Sequence, residues 1–163
     1  MPDPTLRVAT TDDLSVIEAL ARHTWPTAYG DILSPAQIEY MLQLFYAPEA
    51  LSHQMAAGQT FLLLEVPEPV GFAAAGPVGD FSWKLHKLYV LPSQQGSGYG
   101  VRLLNAVLAL AKRAAAQTLT LNVNRYNPAK GFYEQQGFET VSEKDIEIGA
   151  GFFMNDYILE KKL

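Results

Sequence analysis

The chain has 163 residues, 48% hydrophobic and 18% charged, which suits one folded domain with a sizeable core and speaks against disorder. A formal net charge of −5 argues against general nucleic-acid binding, which needs a basic surface, and is compatible with cationic small substrates. The lack of cysteine excludes disulfides and thiolate metal sites, and no apolar run is long enough to span a bilayer.

The start, Met1-Pro2-Asp3-Pro4, has neither the basic nor the apolar stretch of a secretory signal, so a cytoplasmic protein without membrane partners is expected. Leu6 to Ala9 reads as a first strand, and Thr11 as the cap of a helix carrying Leu14, Ile17, Leu20 and Ala21 at helical spacing. That helix is expected to stop before Trp25-Pro26. Ser34-Pro35 opens a second helix with Ile38, Met41, Leu42 and Phe45 on its apolar face, and Pro48 to about Ala57 a third.

The texture then changes to strand. Thr60 to Val66, Val70 to Ala75 and Phe81 to Leu91 form a meander broken by Pro67-Glu68-Pro69 and by Gly76-Pro77 with Gly79. Val101 to Ala116 is a strongly amphipathic helix, and Thr118 to Val123 alternates as a strand. A helix from Asn127-Pro128 to Gln136 is closed by Gly137. Two final strands, about Phe138 to Ile148 and Phe152 to Lys161, flank Gly149-Ala150-Gly151. Residues 1–163 thus read as a single α/β (α+β) domain, with a central mixed sheet flanked by helices.

The third meander strand runs through Pro92 into Gln95-Gly96-Ser97-Gly98-Tyr99-Gly100, and a long helix follows. Alternate glycines permit positive φ and let a bulky anion approach the backbone. The free N–H groups of the helix start then point at that anion. Alone, such a turn serves structure as often as ligand binding. Val101-Arg102 lacks the Lys-Ser/Thr of a P-loop. The turn also follows a meander rather than the first strand of a βαβ unit, which speaks against dinucleotide binding.

Leu88-Tyr89-Val90-Leu91-Pro92, the Gln-x-x-Gly-x-Gly pattern at Gln95 to Gly100, and the run from Asn127 to Phe138 resemble the two signature segments of the GNAT superfamily of N-acetyltransferases. The resemblance implies a mostly antiparallel twisted sheet and acetyl-CoA as co-substrate, with no metal. It further implies that Leu88, Tyr89 and Val90 hold the pantetheine arm like an added strand, mainly through the backbones of Leu88 and Val90. The backbone N–H groups of Gln95, Gly96, Ser97, Gly98, Tyr99 and Gly100 would take the pyrophosphate, and Asn127 would contact the arm. Tyr133 would protonate the departing thiolate, and an N–H such as that of Val90 would stabilise the oxyanion.

Many relatives place a glutamate in the strand after the cofactor helix, where this chain has Asn122, which cannot take a proton. His86 becomes the candidate base, on a parity shared with Lys84, Leu88 and Val90. Glu39, Asp31 or Asp80 acting through water remain alternatives.

The tail from Asp145 to Tyr157, with His86–Val90 and Asn124–Asn127, is similar to the bacterial spermidine/spermine acetyltransferase group called PaiA. A small amine or polyamine acceptor would follow, walled by Trp25, Tyr29 and Tyr46. Acidic side chains would hold its distal ammonium. A protein N-terminal or lysine acetyltransferase and a non-catalytic acyl-CoA-binding regulatory module are the other readings. A homodimer is the family expectation, and the aromatic residues of the final strands, Phe152, Phe153 and Tyr157, could pair across its interface or equally be core.

Overall fold

The structure, a computed structural model, describes residues 3–163; Met1 and Pro2, part of the expected leaderless start, lie outside the described residues. The chain runs β1 (Thr5–Val8), α1 (Leu14–Tyr29), α2 (Pro35–Tyr46), α3 (Pro48–Ala56), β2 (Thr60–Glu65), β3 (Pro69–Pro77) and β4 (Ser82–Val90). It continues with α4 (Tyr99–Arg113), β5 (Thr118–Asn124), α5 (Ala129–Gln135), β6 (Glu139–Gly149) and β7 (Phe152–Lys162). All seven strands share one sheet in the order β1-β2-β3-β4-β5-β7-β6, antiparallel throughout except for the β4–β5 pair.

Two local expectations are corrected. The cap before α1 is Thr10 rather than Thr11: its hydroxyl accepts from Asp12 N–H, and Asp13 Oδ2 accepts from Thr10 N–H at 2.9 Å. Arg7 donates twice to Asp13, which holds that carboxyl below its usual range. Helix α1 also runs through Pro26 to Tyr29 instead of stopping before Trp25. An interior proline costs about 3 kcal/mol. Burial of Trp25 and the packing of Tyr29 beside it, ring centroids 4.6 Å apart, offset that cost.

The sheet is buried on both faces, which is why Phe61 to Leu64 is apolar without alternation. Phe61 and Leu63 pack with α1, α2 and α3, while Leu62 and Leu64 pack with α4. Helix α4 fills its face with Leu103, Leu104, Val107 and Ala111, all buried.

Two irregularities shape the centre. Ala74 faces Lys87 and Ala75 faces Leu85, so His86 is an extra residue in β4, a β-bulge. The parallel pairing of β4 with β5 covers only Ser82–Leu85 against Thr118–Leu121. Beyond Leu85 and Leu121 the two strands part.

Replacing the fully buried Leu103 with alanine removes packing between α4 and the sheet. Urea unfolding should show a loss of about 3 kcal/mol with an unchanged denaturant slope.

Candidate active site

Two hollows open where β4 leaves β5. A groove of about 680 Å³ runs on the α4 side, between β4, the glycine turn and α5. A cavity of about 370 Å³ lies on the α1–α2 side. They share Tyr29, Leu85, His86, Lys87, Tyr89 and Asn122 in their walls. The opening in the sheet therefore joins them.

The groove is built from backbone. Leu91 N–H donates to Val70 O in β3 at 2.8 Å, so alternation turns the N–H and C=O groups of Val90 and Leu88 toward the open edge. Gln95 Nε2 donates to Val90 O at 3.2 Å and anchors the start of the turn. Gly96 and Gly98 adopt φ of 88° and 78°, and Gly98 caps α4 in the left-handed region, which a side chain would strain. Gly100 serves differently. A Cβ there would stand 3.5 Å from the Phe132 ring and 4.0 Å from Leu88 Cδ2, narrowing the groove between them.

The turn and the first N–H groups of α4 thus form a concave, glycine-rich lining whose chemistry suits an anion. Gln95, Gly96, Gly98, Tyr99 and Gly100 belong to it, whereas Ser97 is exposed and does not. Asn127 lines the groove, and its Oδ1 accepts from Ala129 N–H at 2.9 Å in the turn that leads into α5.

Tyr133 is 8% exposed, packs edge-on against Phe132 and Phe138, and lines the groove. Burial, with Tyr29 nearby, raises its hydroxyl above the ordinary tyrosine range, so it stays protonated at any working pH. Tyr29 and Tyr89 share a hydrogen bond of 2.8 Å between their hydroxyls. This pair at the junction was not legible in the sequence, because its members lie 60 residues apart.

The bulge corrects the expected parity of His86. Lys84 lines the cavity, whereas Leu88 and Val90 line the groove, and His86 touches both. Burial, reinforced by Lys84 and Lys87, pushes its imidazole down to about 4. It is neutral in the physiological range. Asp31 and Asp80 are exposed and line neither hollow, and Glu39 pairs with Arg22 at the surface.

The carboxylate that does line the cavity is Asp156 of β7, 3% exposed, which accepts from Asn122 Nδ2 at 3.2 Å. Burial pushes it up, opposed by the Asn122 bond and by the charges of Lys84 and Arg125. The position that could have carried a β5 carboxylate thus carries an amide that holds one from β7.

Trp25, Tyr29 and Tyr46 line the cavity. In the tail, Phe152 packs at a tilt against Tyr40, Phe153 lines the cavity but is 45% exposed, and Tyr157 lies beneath Lys130. Among the described residues no three His, Asp or Glu side chains converge as metal ligands, and no helix is long and apolar enough to cross a membrane.

Residues 31–157 match the model of the acetyltransferase (GNAT) domain. The chain belongs to the GNAT acetyltransferase family. An N-acetyltransferase of Mycobacterium tuberculosis strain H37Rv, itself uncharacterised, is 27% identical over 93% of this chain and 98% of its own length. A spermidine N(1)-acetyltransferase of Thermoplasma acidophilum is 26% identical, covering 96% of each chain. The fold is similar to that of the PaiA N-acetyltransferase of Thermoplasma acidophilum in complex with coenzyme A, with a TM-score of 0.84, 24% identity and 99% of each chain covered. As a GNAT enzyme the chain is an acetyl-CoA-dependent acyltransferase, and the groove's bare backbone edge and glycine cradle fit that co-substrate.

Two outcomes test this geometry. Gly100→Ala should weaken acetyl-CoA binding about tenfold in calorimetry with Tm unchanged or raised, because alanine favours the helix while its methyl narrows the groove. Lys87 is pushed down to about 8 by burial and by Lys84, from its usual 10.5. Its protonated form therefore destabilises the fold below pH 8, and the penalty fades as pH rises through 10.5. Lys87→Met should melt several degrees higher at pH 7, with the gap closing between pH 8 and 10.5.

Proposed function

We propose that this enzyme transfers the acetyl group of acetyl-CoA to the primary amine of a small molecule, directly within a ternary complex. The observation that carries the reading is the junction of groove and cavity at the parted strands. A thioester lying along β4 and an amine entering from the α1–α2 side would meet there. The relative that acts on spermidine supports an amine acceptor.

Acetyl-CoA supplies the thioester carbonyl; the chain's residues position and protonate. Leu88 and Val90 offer their open-edge backbone groups to the pantetheine arm, and Asn127 adds its side-chain amide. The N–H groups of Gly96, Gly98, Tyr99 and Gly100 take the pyrophosphate, with Gln95 holding the turn in place. The Val90 N–H stands where negative charge develops on the carbonyl oxygen.

His86, neutral and beside both hollows, accepts the proton that the attacking nitrogen loses and passes it to water, since burial leaves its imidazole unable to hold it. Tyr133 supplies the proton to the departing sulfur. Burial raises its pKa, which keeps the hydroxyl protonated and able to donate.

Among the described residues the Tyr133 hydroxyl has no hydrogen-bond partner on which the fold relies. Tyr133→Phe should therefore keep Tm and acetyl-CoA affinity while kcat falls about 100-fold in a thiol-release assay. A kcat within twofold of the parent enzyme would remove Tyr133 from the reaction. Binding of acetyl-CoA without turnover of any amine would favour a regulatory acyl-CoA-binding module.

A further inference from the structure

The acceptor cavity carries charges that acyl transfer itself does not require. Lys87 is 8% exposed in its wall, and its Nζ donates to Gln54 Oε1 at 2.7 Å. The ammonium rests over the rings of Tyr46 and Phe61, 5.3 and 5.5 Å from their centroids. Among the described residues it forms no ion pair, and the charge that acts on it is another cation, Lys84. A buried ammonium without a carboxylate is a standing cost to the fold.

Two more polar atoms in the same wall are buried without a partner: Trp25 Nε1 and Gln59 Oε1. The Trp25 N–H influences the Tyr46 hydroxyl but makes no hydrogen bond of ordinary geometry with it. Tyr46 lies beside both unused donors, its ring 5.7 Å from that of Trp25 and 5.3 Å from Lys87 Nζ. Elsewhere in the wall stands Asp156, held by Asn122 and lying in the field of Lys84.

We propose that the acceptor is a small amino carboxylate, its carboxylate taking the unused N–H donors of Lys87 and its amino group lying toward Asp156 and His86. This rests on the acyl-transfer reading above and names the substrate class of that same site. A volume of about 370 Å³ admits a molecule of amino-acid size. A polyamine would bring two or more ammonium groups to a cavity with one carboxylate and two lysines. In the transfer a C–N bond forms as the thioester C–S bond breaks. The nitrogen's proton leaves through His86 to water, the sulfur takes the Tyr133 proton, Tyr133 regains a proton from water, and the carboxylate of the acceptor is unchanged.

The test uses acceptors that differ only in the carboxylate: lysine with cadaverine, ornithine with putrescine, γ-aminobutyrate with n-propylamine, and spermidine as the polyamine. Acetyl-CoA affinity is measured on the same preparations. At least one carboxylate-bearing member should exceed its partner and spermidine by about tenfold or more in kcat/KM. Lys87→Met should bring that ratio close to one, chiefly through KM, and Lys87→Arg should restore most of it. Equal or better turnover of the decarboxylated partners or of spermidine would overturn the proposal, as would an unchanged ratio in Lys87→Met. Acetyl-CoA binding with no amino carboxylate acetylated would overturn it and leave the cofactor groove standing. Failure to bind acetyl-CoA would instead bring down the reading beneath it.

Discussion

Beyond Leu85 and Leu121 the parallel strands β4 and β5 at the centre of the sheet cease to hydrogen-bond, although each keeps its partner on the other side, β3 and β7. Backbone N–H and C=O groups in the middle of a sheet are costly to leave unpaired. The open edge at Leu88 and Val90 is consequently a ready position for an extended ligand. Everything around it serves that gap. The glycine turn closes one end, α5 brings Tyr133 alongside, and the bulge at His86 turns the strand so that Lys84 faces one hollow and Leu88 the other.

The same opening organises the electrostatics. The chain is acidic overall, yet the cavity on the α1–α2 side holds Lys84 and Lys87 against the single carboxylate of Asp156. Asp156 is matched by Asn122 and by the field of Lys84 and Arg125, which leaves Lys87 uncompensated. A fold selected for stability alone would gain from an apolar residue at that position. The proposed amino carboxylate acceptor rests on this ammonium in the cavity wall rather than on the aromatic walls, which any apolar or cationic molecule could use.

Much of this was legible in the sequence. The segments at Leu88–Pro92, Gln95–Gly100 and Asn127–Phe138 are local: turn chemistry and strand–helix order point to an anion-binding helix start, and the family resemblance ties it to acetyl-CoA. Other features were not, each for a physical reason. Pro26 reads as a stop, but burial of Trp25 and Tyr29 overrides a local propensity. Parity placed His86 beside Lys84 and Leu88 alike, because alternation assumes a regular pleat and a bulge breaks it. Asp156 and Asn122, or Tyr29 and Tyr89, come together only through the order of strands in the sheet, which no spacing along the chain encodes. Lys87 left the clearest unread signal: a lysine between Leu85 and Tyr89 in a strand otherwise fit for burial.

The claim that the open edge of β4 receives the co-substrate is tested most directly by amide hydrogen exchange with and without acetyl-CoA. The Leu88 and Val90 amides and those of Gly96, Gly98, Tyr99 and Gly100 should exchange quickly in the free protein and become protected together when acetyl-CoA binds. Saturable binding that leaves the Leu88 and Val90 amides unprotected would contradict the account.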